Sequence, residues 1–179
     1  MPDLRRARRT VSGPAGRRGR SDRVADLRRR PRCGIMIPSG GTRGESVMRV
    51  RAVGAVDLIW DEQPPYDDRA GGRLARVVVT KEFQGDLQAS SVAHLLKAES
   101  ARPGSGGYVG LERVVGTLHG RPGSFVLQHC GVMERGAGSL TIQVVPDTGT
   151  GELAGLTGTM EILLVDGERG FTFDYTVES

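Results

Sequence analysis

The sequence predicts an all-β fold, an eight-stranded antiparallel up-and-down barrel, and three observations carry that expectation. From Arg49 onward, short stretches rich in β-branched residues alternate with Gly, Pro and Asp turns at the spacing of a barrel or sandwich. No stretch sustains the 3.6-residue apolar period of an amphipathic helix. Most connections are too short to cross over a sheet, so strands adjacent in sequence are expected to be antiparallel neighbours in space. Closing such a meander also removes its exposed edges.

The 179 residues suffice for one domain with a core, here residues 48–179, and residues 1–47 stand apart from it. Before Met48 there are 13 arginines against Asp3, Asp22, Asp26 and Glu45; from Met48 onward there are 12 basic residues against 17 acidic ones. The net charge of +4 therefore belongs to the tail, and an acidic barrel domain argues against nucleic-acid binding except through that tail. Rich in Arg, Gly, Pro and Ser, residues 1–47 are expected to be disordered. The foremost reading is translated upstream sequence with the true start at Met48 or Met36. A basic arm for nucleic acid or an anionic surface is the second, and a targeting peptide the third. The pairs Arg5–Arg6 and Arg8–Arg9 lack the apolar stretch that a twin-arginine signal requires.

No window offers the run of about 18 apolar residues that a membrane-spanning helix needs, so a soluble, cytoplasmic protein without membrane contact is expected. Cys33 and Cys130 fall one in each region with no metal-ligand spacing, which excludes a disulfide framework or zinc ribbon. Both are expected as reduced thiols, Cys130 as a small buried hydrophobe in a strand.

The predicted strands run Arg49–Trp60, Arg73–Gln84, Leu87–Ala98, Gly107–His119, Ser124–Val132, Ser139–Val145, Thr159–Val165 and Phe171–Glu178. Alternation assigns Phe171, Phe173, Tyr175 and Val177 to the inner face of the last strand, and Leu140, Ile142 and Val144 to that of the sixth. In FQGDLQ, Gly85-Asp86 reads as a type II′ turn that sets Gln84 opposite Leu87. His94 then faces Val77 on a mostly apolar inner face with Val92, Leu96, Val79, Lys81 and Phe83. Within HGRPGS, a two- or four-residue loop aligns Leu118 with Phe125, Gly116 with Leu127 and Val114 with His129, which leaves Glu112 diagonal to His129. A three-residue loop would shift that register by one and destroy the pairing.

WDEQPPY (Trp60 to Tyr66) reads as a strand end halted by Pro64 and Pro65, with Trp60 and Tyr66 packing at the rim. GTGELAGLTG (Gly149 to Gly158) departs from a phosphate-binding GxGxxG and precedes no useful helix. It is expected as a glycine-hinged plug in which Leu153 and Leu156 fold over a barrel end. Metal binding by His94, His119 and His129 is disfavoured, because no acidic ligand has a spacing that completes a site. No metal and no cofactor is expected.

GLERVVGTLHGRPGSFVLQHCG (Gly110 to Gly131), WDEQPPY, LARVVVTKEFQGDL (Leu74 to Leu87) and GTGELAGLTG together resemble the bacterial domain-of-unknown-function family 3224 (DUF3224) across Met48 to Ser179. An extra Pro in WDEQPPY, and His119 and Cys130 in place of small residues, are the departures. The resemblance implies an eight-stranded barrel like that of the plant allene oxide cyclases, which close a fatty-acid-derived epoxide inside an apolar cavity. It implies no activity, since the cyclase set does not map residue by residue here and Glu62 is only a loose positional analogue.

Three functions follow in order of preference. The first is a barrel that binds a small apolar molecule, its interior lined by Phe83, Phe125, Phe171, Phe173 and Tyr175, with His94, Trp60 and Tyr66 as further contacts. The second is an isomerase or cyclase in which Glu112 and His129 move a proton. The third is a structural module that dimerises through its wall around a filled core, which makes a second copy of the chain a candidate partner.

Overall fold

The computed structural model describes residues 49–165 and 167–178, and the expectations for residues 1–47 lie outside the described residues. Among the described residues, nine strands follow in chain order: β1 (Val50–Glu62), β2 (Asp67–Arg69), β3 (Gly72–Gly85), β4 (Leu87–Ser100), β5 (Gly106–Leu118), β6 (Arg121–Glu134), β7 (Ala137–Val144), β8 (Leu156–Val165) and β9 (Glu168–Val177). A 3₁₀ turn, Gly151–Leu153, precedes β8. Each long strand pairs antiparallel with its neighbour in sequence, and β1 bonds to both β9 and β3. The result is the closed eight-stranded barrel the alternation predicts. The short β2 was not expected; it folds back on the start of β3, Asp67 opposite Leu74, just after the prolines stop β1. No helix among the described residues is long and apolar enough to cross a membrane.

One correction concerns the β3–β4 hairpin, where Phe83 pairs with Ala89 and Val78 with His94, one residue away from the predicted register. The cause is tertiary. Asp86 exchanges backbone and side-chain hydrogen bonds with Val53 of β1, while its carbonyl accepts the His119 N–H of the β5–β6 turn. The chain at Asp86 is thus held between two strands and does not close as an isolated two-residue turn. The one-residue shift reverses the β4 faces. Leu87, Ala89, Ser91, Ala93 and Leu95 point inward, and Val92, Leu96 and His94 point to solvent.

The β5–β6 hairpin is also corrected, with a different outcome. His119 and Gly120 both take positive φ, 46° and 81°, as a two-residue type I′ turn needs. Leu118 therefore pairs with Arg121 and Val114 with Phe125, not Leu118 with Phe125. The difference is an even number of residues, so inward and outward faces are unchanged. Glu112 still lies diagonal to His129, since its direct partner is Leu127.

Two apolar clusters fill the interior. The larger contains Phe83, Phe125, Phe171, Phe173 and Tyr175, with Leu153 and Leu156 of the predicted plug buried against it. Its rings pack in offset stacks and edge-to-face contacts, Phe125 against Phe173 at 5.6 Å and Phe83 against Phe171 at 5.4 Å. This end of the barrel is closed. The smaller cluster, toward the other end, joins Val77, Val79, Ala93 and Leu95 with Leu58 and Tyr108. There the wall thins: β7 and β8 share only the pairs Ile142–Met160 and Gln143–Thr159, both near the middle of the barrel.

Candidate functional site

Between the two clusters lies a layer of buried polar side chains. On β3 it is Lys81, between Val79 and Phe83; on β4 Ser91, between Ala89 and Ala93; on β5 Glu112, next to Val114; on β6 His129, next to Leu127. Four adjacent strands each contribute one inward residue, so ordinary alternation brings the four groups together. Glu112 is the centre. Its Oε2 accepts hydrogen bonds from Lys81 Nζ at 2.6 Å and from His129 Nε2 at 2.6 Å, and its Oε1 accepts one from the Ser91 hydroxyl at 2.5 Å.

Complete burial would push the Glu112 carboxyl up. The hydrogen bond from His129, the Lys81 ammonium and the Ser91 hydroxyl outweigh that effect and hold it at about 2. Glu112 is therefore a fixed anion, compensated by Lys81. Every polar atom buried in this layer has a partner among the described residues.

Beyond the smaller cluster the lumen opens into a cavity of about 480 Å³, lined at its mouth by Trp60, Tyr108, Met133 and Leu140 with Lys97 and Glu99 at the rim. Lys97, Tyr108, Gly131 and Leu140 form one row of direct cross-strand partners through β4, β5, β6 and β7. Gly131 is required there: a Cβ would come within 2.6 Å of the Tyr108 ring, which lies across the glycine. At the rim, Lys97 Nζ sits 2.7 Å from Glu62 and 3.4 Å from Glu99, and Arg73 is 3.0 Å from Glu99.

The sequence profile of the family described as "Protein of unknown function (DUF3224)" matches residues 56–175, from the middle of β1 to the end of β9. The chain belongs to the DUF3224 family. A crystal structure of a protein of unknown function from the same family, from Shewanella oneidensis MR-1, superposes with a TM-score of 0.69 at 40% identity, covering 74% of this chain and 100% of that one. No curated protein matches the chain.

In this DUF3224 barrel, Glu112 and His129 are brought together as the sequence suggests. Phe83, Phe125, Phe171, Phe173 and Tyr175 face inward, but they pack on one another at the closed end and none lines the open cavity. Trp60 does line it. Tyr66 lies outside the barrel instead, beneath the Arg76 guanidinium and beside a groove on the outer wall with Leu74, Leu96 and Val109. His94 is a correction already explained by register: it sits on the outer surface and cannot reach a ligand in the lumen. His119 stands at the closed end, its Nδ1 2.8 Å from the Tyr175 hydroxyl, so the three histidines occupy three separate places. No cluster of three or more metal-ligating side chains occurs among the described residues. Cys130 is half-buried on the outer face of β6, not inside.

Two members of the polar layer were not among the residues that sequence reasoning nominated for a site. Lys81 was legible as an inward residue among valines, which signals a buried counter-charge. Ser91 was not, because the slipped β4 register sent it outward.

Proposed function

We propose that this DUF3224 chain is a small-molecule binding barrel that takes a largely apolar ligand into its open mouth. The observation that carries the reading is the cavity of about 480 Å³, inside the range of roughly 300–1,000 Å³ common to ligand pockets. Its walls are apolar where the lumen narrows, and charged pairs sit only at the rim. Among the inward positions around it, Gly138 leaves open space, nothing lying closer than 3.6 Å to where a Cβ would stand, whereas Gly131 is covered by the Tyr108 ring.

Native mass spectrometry of the purified protein tests this, together with a Met133→Phe/Leu140→Phe variant that fills the mouth. A small molecule carried by the parent protein and lost from the variant is the expected outcome. A parent that carries none, and takes up none when offered a panel of neutral aromatic and aliphatic compounds, refutes the reading.

A proton-transfer enzyme is the second reading, favoured by the 2.6 Å contact between His129 Nε2 and Glu112. A carboxylate held at about 2 is a poor general acid or base near neutral pH. In that reading Glu112 orients His129, which carries the proton. Replacing His129 with Gln would abolish turnover while leaving ligand uptake intact.

A further inference from the structure

Inside the mouth, the polar groups divide between the rim and the floor. Lys97, Glu62, Glu99 and Arg73 are engaged with one another at the rim. Tyr108 instead lies deeper, at the floor, its ring flat across Gly131 and its inner edge packed on the smaller apolar cluster. Among the described residues no hydrogen bond occupies its hydroxyl; burial, then the nearby Cys130 and Glu112 groups, push that phenol up. It therefore remains a protonated donor across the neutral range.

We infer that the ligand is a neutral, mostly apolar molecule bearing one uncharged acceptor oxygen, a ketone or aldehyde carbonyl, which the Tyr108 hydroxyl receives at the floor of the mouth. The inference rests on the binding reading above and adds the chemistry of the ligand's polar end. Two further observations select a neutral head over an acid. Of the two cations that line the cavity, Lys97 is already shared by two carboxylates, and Arg102 stands on the β4–β5 connection at the rim, away from the floor. Below the floor, Glu112 and the Lys81 ammonium already neutralise each other, so that layer has no spare positive charge for an acid entering a poorly solvated lumen. A carbonyl oxygen satisfies the phenol without bringing a charge to be compensated.

The chain contains one tryptophan, and Trp60 lines the cavity, so its indole N–H resonance reports occupancy at a single site. The experiment titrates the full chain with acetophenone, isopropylbenzene and benzoate, three probes of similar size, and repeats the series with Tyr108→Phe. That variant keeps the ring over Gly131, and isopropylbenzene affinity serves as the control for an intact pocket. Acetophenone is expected to bind about three- to tenfold more tightly than isopropylbenzene, the worth of one neutral hydrogen bond, with benzoate the weakest. In Tyr108→Phe the acetophenone advantage disappears while isopropylbenzene binding is unchanged. The inference is overturned if the advantage survives in Tyr108→Phe, or if benzoate binds most tightly. Equal binding of all three probes overturns it while leaving the binding reading in place. If no probe moves the Trp60 resonance, the binding reading fails first.

Discussion

At the closed end, all four phenylalanines of the chain pack with Tyr175 beneath Leu153 and Leu156, whereas at the open end the inward positions include Gly106, Gly131 and Gly138. The same eight strands run through both ends, but toward the open one β7 and β8 part. Ring packing at one end and parted strands with inward glycines at the other decide between a packed core and a pocket. The polar layer of Lys81, Ser91, Glu112 and His129 marks the boundary between the two regimes.

The most forceful way to break this comparison is to delete volume at each end. Phe173→Ala should destabilise the barrel by about 4 kcal/mol in urea titrations, because Phe173 is fully buried and stacks on both Phe125 and Tyr175. Leu140→Ala, at the half-exposed mouth, should change stability by no more than about 0.5 kcal/mol. Comparable losses at the two ends would show that the mouth is packed in solution.

The boundary layer is probed next, through acid. Folded Glu112 titrates at about 2 against 4.5 for an ordinary carboxyl. Its contribution is thus complete above pH 4.5 and lost as pH falls toward 2, amounting to about 3 kcal/mol. Denaturation curves collected across that window should steepen in the parent and flatten in Glu112→Gln. An identical acid dependence in both proteins would remove the buried anion from the account. The smallest effect is expected outside the barrel, where His94→Ala should leave the urea midpoint unchanged within about 0.5 kcal/mol; a larger loss would place His94 back in the interior.

Much of this architecture could be read from residue order, and the errors have a common origin. Strands with strong alternation, such as Phe171 to Val177, were legible because large apolar residues recur at every second position. On β4 the pattern points the wrong way: Val92 and Leu96 are larger than the inward Ala89, Ser91 and Ala93, so apolar size favours the face that is in fact exposed. What settles the matter is Asp86, held by Val53 and His119, and contacts between segments so far apart in sequence leave no local signature. The pair Glu112 and His129 was legible because both register assignments keep them on one face. The cavity was not, since the aromatic residues that sequence composition nominates as its lining satisfy one another at the far end.

The turn at His119 and Gly120 has a consequence for how this hairpin tolerates change in length. Adding two residues there would lengthen the loop and leave the carboxylate and imidazole projecting toward each other. Adding one would rotate the whole of β6 by half a pleat, expelling His129 into water and drawing Gln128 and Cys130 into the axis of the cylinder. Parity, more than length, is therefore the quantity that this segment must conserve.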